Sequence, residues 1–133
     1  MIRKITLGIT LFFSTLMFAS PAYADWEEII KSEGGTFYVD FDRIRKGGDG
    51  YVYYWDLTDY LKPSPSGILS SKVYNQGDCE VFRSKTLNVS FHKQPMGEGS
   101  GETYSPPNPE WEYPPPNTIG EIKLKIVCSR VGL

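Results

Sequence analysis

The stretch Gly50-Tyr51-Val52-Tyr53-Tyr54-Trp55-Asp56-Leu57-Thr58-Asp59-Tyr60-Leu61 constrains this chain more than any other. Aromatic and β-branched residues fit a pleated, half-buried surface far better than a helix. Alternation puts Tyr51, Tyr53, Trp55 and Leu57 on one face, and Val52, Tyr54, Asp56 and Thr58 on the other. The bulkier first set reads as the core side, and the second, with its acid and hydroxyl, as partly wet. Gly47-Gly48-Asp49-Gly50 before the run and Lys62-Pro63-Ser64-Pro65-Ser66-Gly67 after it are strong turn punctuation. The pattern predicts a sheet protein with this strand near its middle.

The chain opens with Met1, the basic pair Arg3 and Lys4, an apolar run from Ile5 to Phe18, and then Ser20-Pro21-Ala22-Tyr23-Ala24. These are the three regions of a secretory signal peptide, with cleavage expected after Ala24. The apolar run falls short of the roughly 20 residues that a spanning helix needs, which makes a membrane anchor the weaker reading. No cysteine lies near the cleavage point, so a lipid-anchored form is not indicated. Residues 25–133 are then one domain with one core, exported to the periplasm or beyond. Arg3 and Lys4 belong to the leader, and residues 25–133 carry 12 basic against 16 acidic groups, a net charge of −4. That balance argues against nucleic acid and anionic lipid as partners, which call for a basic surface, and leaves proteins, glycans and cationic ligands open.

The two cysteines are Cys79 and Cys128. In an oxidising compartment they have one pairing available, a Cys79–Cys128 bridge. The rival reading, a redox pair or metal site, lacks C-x-x-C spacing and finds a single histidine, His92.

Taken in order, Asp25-Trp26-Glu27-Glu28-Ile29-Ile30 starts the domain, with Trp26 and Ile29 or Ile30 as core contacts, and Ser32-Glu33-Gly34-Gly35 breaks it. Thr36–Asp40 reads as a strand, and Phe41–Lys46 as a turn or single helical turn. After the central strand, Ile68–Asn75 is a weaker strand ended by Gln76-Gly77-Asp78. Cys79–Phe91 is a long strand with Cys79, Val81, Leu87, Val89 and Phe91 on one face. Links of a few residues favour antiparallel neighbours. From Lys93 to Pro116 the composition turns to proline, glycine and large aromatics. Met96–Gly101 is expected to be a flexible loop, and Pro106–Pro109 and Pro114–Pro116 stiff pieces around Glu110-Trp111-Glu112-Tyr113. The last segment, Thr118–Cys128, supports two periods. Ile122, Leu124, Ile126 and Cys128 alternate as in a strand, whereas Thr118-x-x-Glu121 is a capping box and Ile119, Ile122 and Ile126 keep helical spacing. The residues alone lean only slightly to helix.

No catalytic constellation stands out. His92 has no nucleophile partner and reads as a hydrogen-bonded or solvated strand-end residue. Asp56 with Asp59, or Asp40 with Asp42, could be imagined as paired carboxylates, but acids at strand ends usually cap turns or stay solvated. Gly97, Gly99 and Gly101 lack the spacing and following helix of a phosphate loop. No metal or cofactor is expected. Candidate contact residues are Tyr104, Trp111 and Tyr113, rigid aromatics in a proline-stiffened loop, which is what a protein-binding surface uses. For Trp111 the competing reading is a plug folded back over the sheet.

These residues resemble the surface-adhesin protein E family of small exported bacterial domains. The matching pieces are Trp26, Tyr38-Val39-Asp40 with Ile44-Arg45-Lys46, Trp55 with Lys62-Pro63, Ser70-Ser71-Lys72, and Cys79 with Arg83. Pro95-Met96-Gly97-x-Gly99, Glu110-Trp111, Pro115 and Cys128 complete the match, which spans nearly all of residues 25–133. The resemblance implies an α+β fold: a single antiparallel sheet of about six strands with a C-terminal helix packed on it and tied by the disulfide. It tips the last segment to helix and favours the plug for Trp111. It also implies dimerisation and, for members that act as adhesins, binding to host extracellular-matrix proteins. The chain departs from an adhesin in lacking a lipobox cysteine, which puts surface display in doubt. Two readings stand: a non-enzymatic adhesin-like binding protein, or a periplasmic accessory or inhibitor protein docking on an envelope enzyme such as a lysozyme.

Overall fold

Residues 25–132 are described by the computed structural model, and the expected leader, 1–24, lies outside them. Seven antiparallel strands form one sheet: β1 (Trp26–Lys31), β2 (Gly35–Asp40), β3 (Arg45–Lys46), β4 (Val52–Tyr60), β5 (Ser70–Asp78), β6 (Arg83–His92) and β7 (Gly101–Tyr104). Their order is β1-β2-β4-β5-β6-β7, with β3 also paired to β4 through Arg45↔Tyr53 and Lys46↔Val52. The aromatic run is therefore an inner strand, held by β2 and β3 on one side and β5 on the other. One helix, α1 (Ile119–Arg130), closes the chain and makes the fold α+β.

The helix forms because its start is capped at both levels. Thr118 Oγ1 accepts the Glu121 backbone N–H, while Glu121 Oε1 accepts that of Asn117, so the capping box closes one residue early on its return arm. The helical period wins over the alternating one, and it buries Leu124, Val127 and Cys128, at i, i+3 and i+4, rather than the isoleucines. Cys128 is bonded to Cys79 with the two Cα atoms 5.7 Å apart.

The helix packs on the face of β4 that carries Val52, Tyr54 and Asp56, so the expected core and wet faces of this strand are exchanged. Val39, Val52, Tyr54 and Val127 make the buried cluster, with Ile29, Phe41, Ile44, Cys79 and Val131 against it. Close approach decides the matter: a Cβ on Gly77 would lie 3.0 Å from Val52, 3.2 Å from Leu124 and 3.2 Å from Tyr54. A helix settles where the sheet is low, and Val52 beside Gly77 is lower than Tyr53 beside Gln76. Leu57 is buried all the same, on the opposite face, beneath the turn at Gly97.

Two further expectations shift. The chain from Cys79 to Phe82 is a turn, not strand. Asp78 Oδ1 accepts the backbone N–H groups of Glu80 and Val81, Phe82 takes a left-handed φ of 66°, and Val81 points to solvent. The glycine-rich segment is pinned instead of loose. Met96 N–H donates to Asp59 Oδ1, Gly97 N–H to Ser70 Oγ, and Ser70 Oγ–H to the Gln94 carbonyl. Pro95–Gly97 is thereby a 3-10 turn, and Gly97, at φ 67° with Leu57 and Lys72 at 2.9 Å from an added Cβ, has no room for a side chain.

Candidate functional site

The sheet has a helix-covered face and a bare one, crossed among the described residues only by the Pro95–Gly97 turn and the Trp111 strap, and the bare face carries the half-buried large aromatics of the central strand. Tyr53 and Trp55 line it from β4 and Tyr51 from the residue just before, with Tyr74 opposite Trp55 on β5. Trp55 lies 4.8 Å and Tyr53 6.2 Å from Tyr74, centroid to centroid, and Tyr51 lies 5.2 Å from Trp111. Cations thread this row. Arg45 donates to the Tyr74 hydroxyl at 3.0 Å and covers the Tyr53 ring, and the Arg83 guanidinium and Lys85 ammonium stand 4.1 and 4.5 Å from the Trp111 ring centre.

Trp111 reaches this face because the proline-rich segment is strapped down. Glu112 exchanges two backbone hydrogen bonds with Ser84, at 2.8 and 2.9 Å, and so continues the sheet edge past the end of β7. Half-buried on the sheet, the indole has the position of a plug, but on the outer surface and not in the main core. Tyr113 follows it, 61% exposed, with its hydroxyl accepting from Arg83. Arg83 is itself held by Asp78 at 2.9 Å. Burial pushes the Asp78 carboxyl up, but the Val81 N–H, the Arg83 side chain and the Glu80 N–H outweigh it and hold the group below the usual carboxylate range. Likewise the hydrogen bond to Asp49 pushes the Tyr53 phenol up to about 12, so this hydroxyl stays protonated.

The three candidate contact residues do not come together. Tyr104 pairs with Val89 on edge strand β7, 56% exposed, on the helix side of the sheet. Trp111 and Tyr113 sit together across the sheet from it. Tyr51, Tyr53 and Trp55, assigned to the core by their bulk, are the surface that sequence reasoning missed; the small Gly77 in the neighbouring strand was the available signal.

The imagined acid pairs separate as well. Asp56 lies under the helix, accepting from Asn75 Nδ2 at 2.7 Å and Lys123 Nζ at 3.3 Å, while Asp59 faces the opposite side and caps Met96. Burial raises the Asp56 carboxyl above its ordinary range, against the pull of Lys123 and Asn75. Asp40 is buried and paired to Arg43, with Asp42 exposed beside it. His92 is a structural residue: its Nδ1–H donates to the Gly99 carbonyl at 3.3 Å, and its Nε2 accepts from Ser90 Oγ at 2.8 Å. Among the described residues, no three His, Cys, Asp or Glu side chains cluster as metal ligands would. No helix among them is long and apolar enough to cross a membrane.

A concavity lies on the helix side, beyond the helix, at the end of the sheet away from the disulfide. It is a cleft of about 970 Å³ between the Lys62–Ile68 turn and the Lys93–Glu102 segment, floored by Tyr60, Ile68 and Phe91.

A seven-stranded antiparallel sheet, one face closed by a disulfide-clamped C-terminal helix and the other left bare and aromatic, defines a small sheet module built to present a surface. The chain matches the Surface-adhesin protein E family over residues 26–129, and it belongs to that family. Its fold is similar to that of Haemophilus influenzae protein E in crystal form II. That likeness has a TM-score of 0.63 at 16% identity, covering 85% of this chain and 94% of that one. Protein E from non-typeable Haemophilus influenzae is similar at a TM-score of 0.59 and 17% identity, over 84% of this chain and 81% of that one. At these identities the likeness is one of fold. No curated protein matches the sequence.

Proposed function

We propose that this is an exported, non-enzymatic binding protein of adhesin type, with the bare face and its proline-stiffened strap as the contact surface and a protein of the extracellular matrix as the partner. The observation that carries the reading is the Trp111–Tyr113 arrangement. Trp111 is fixed by Tyr51, Arg83 and Lys85, so Tyr113 and the neighbouring aromatics stand pre-organised, and little ordering entropy is lost on docking. Trp111 is the anchor and Tyr113 the contact. A second reading is a periplasmic accessory or inhibitor protein on an envelope enzyme, a role that a small sheet domain tied by the Cys79–Cys128 bridge suits equally well.

Crosslinking capture by the exported, oxidised protein, run against matrix proteins and against the organism's own envelope extract, separates the two. Enrichment of a matrix protein supports the first reading, and enrichment of an envelope enzyme supports the second. The variants assign the roles. Trp111→Ala should lower stability by about 1–3 kcal/mol through the lost ring contacts. Tyr113→Ala should leave the melting temperature unchanged and weaken capture. Unchanged stability of Trp111→Ala together with lost capture would make the indole itself the contact.

A further inference from the structure

We infer that the cleft between the Lys62–Ile68 turn and the Lys93–Glu102 segment is a binding site for an acidic oligosaccharide, separate from the protein-contact face and independent of it.

The site is preformed on both sides. One wall is closed on itself: Ser64 N–H donates to the Ile68 carbonyl, Gly67 N–H to that of Ser64, and Ile68 N–H to Ser64 Oγ, all within 3.0 Å. The other wall is held by His92, whose ring carries the Gly99 carbonyl, and by the Ser70 hydroxyl under Gln94 and Gly97. The cleft lies within the span of about 300–1,000 Å³ typical of ligand sites.

Its chemistry selects the ligand. Tyr60 and Phe91 bring aromatic side chains to the lining, and Phe91 is 38% exposed although its strand neighbours Ser90 and His92 are buried. Aromatic rings of this kind pack against the C–H face of a pyranose, an apolar area of matching width. Ser66, Ser100 and the Gln94 amide supply hydroxyl and amide partners for sugar hydroxyls. Lys62 and Lys93 stand at the rim. Neither pairs with a carboxylate among the described residues, and one acid, Glu102, shares the lining. In a domain whose net charge is negative, two unpaired ammonium groups over one cleft favour an anion.

An extended peptide fits less well, because most of the backbone around the cleft is already paired and only the outer edge of the four-residue β7 is open. Tyr60 N–H is bonded to Leu69, Leu69 N–H to His92, and β7 covers the end of β6. Recognition therefore falls to rings, hydroxyls and charges, which suits a sugar carrying carboxylate or sulfate. Such a chain could be a host glycosaminoglycan or an envelope polysaccharide, and both present the same groups.

The test is calorimetric titration of the exported, oxidised protein with four probes: a hyaluronan hexasaccharide, a chondroitin sulfate hexasaccharide, the deacylated core oligosaccharide of lipopolysaccharide, and neutral maltohexaose. Binding of at least one acidic probe over maltohexaose is expected, weakening as salt is added. Whichever acidic probe binds tighter identifies the source. Lys62→Gln with Lys93→Gln should weaken it by about tenfold, as loss of two charge-assisted contacts predicts. These lysines are exposed, so the variant keeps its fold, checked by an unchanged melting temperature. Phe91→Ser should remove binding altogether, and Trp111→Ala should leave it intact. Equal affinity for maltohexaose, no binding of any acidic probe, or sensitivity to Trp111 in place of the lysines overturns the inference. None of these results bears on capture through Tyr113.

Discussion

Among single residues, Asp56 gives the clearest physical handle. Its carboxyl is buried under the helix with one oxygen unpartnered, and burial raises its proton affinity despite Lys123 and Asn75. Linkage sets the sign. Below the ordinary carboxylate value the group is protonated folded and unfolded alike, and it does not affect stability. As pH rises past that value the unfolded chain releases its proton first, so this group makes stability fall until the raised folded value is passed. Asp78, held low, acts oppositely, and its contribution is lost only as pH falls through its lowered value. Asp56→Asn keeps an acceptor for Asn75 and lets the one-fifth exposed Lys123 turn to water. The stability of the variant relative to the parent should therefore climb as pH rises above the ordinary carboxylate value of 3.8. Denaturant titrations at a series of pH values check it, and a difference flat with pH would mean that Asp56 ionises normally. Nothing in the sequence announced this cluster, since its three members are Asp56, Asn75 and Lys123, on three separate elements.

At the level of elements, the sequence was most legible where local chemistry decides. The turns at Gly47–Gly50 and Lys62–Gly67 bound the central strand where expected, and the capping box at Thr118 starts the helix. It was least legible where a long-range partner decides. Bulk suggested that Tyr53 and Trp55 face the core, but the helix sought the low ground made by Val52 and Gly77, which meet only in the folded sheet. The turn at Cys79–Phe82 was hidden because Val81 and Phe82 have strand-like side chains while Asp78 holds their backbone in a turn. The glycine-rich segment looked loose because its anchors, Asp59, Ser70 and His92, lie elsewhere in the chain. The disulfide joins this helix to that turn across 49 residues. Replacing both cysteines by serine should cost about 4 kcal/mol in the chain-entropy picture, a large share of the stability of a domain this size. Urea unfolding of the double variant checks it, and a loss under about 1 kcal/mol would mean that helix packing alone holds the C-terminus.

For the whole molecule, the two faces of one sheet offer two surfaces that do not compete: aromatics and cations around Trp111 on one, and the lysine-rimmed cleft on the other. The expectation that Tyr104 joins Trp111 and Tyr113 in a single patch fails because β7 turns Tyr104 to the helix side. Both proposed roles require an exported chain, and export has its own check. The protein recovered from the envelope or medium should begin at Asp25 by N-terminal sequencing, as the A-x-A site at Ala22–Ala24 predicts. Recovery of a chain beginning at Met1 would overturn the leader reading.

The bond between Cys79 and Cys128 also has a mechanical meaning, which matters if the proposed adhesive role puts the chain under load. Tension applied between the first strand and the end of the helix runs along the chain to Cys79 and crosses directly to Cys128, bypassing everything between them. The strands from β1 to β5 can be peeled out, releasing roughly 190 Å of extended chain. β6, β7, the strap bearing Trp111 and Tyr113, and the helix up to Cys128 lie inside the covalent loop and never feel the pull through their own backbone. The segment that carries the strap is shielded from load, whereas Tyr51, Tyr53, Trp55 and Tyr74 lie in the part that can extend.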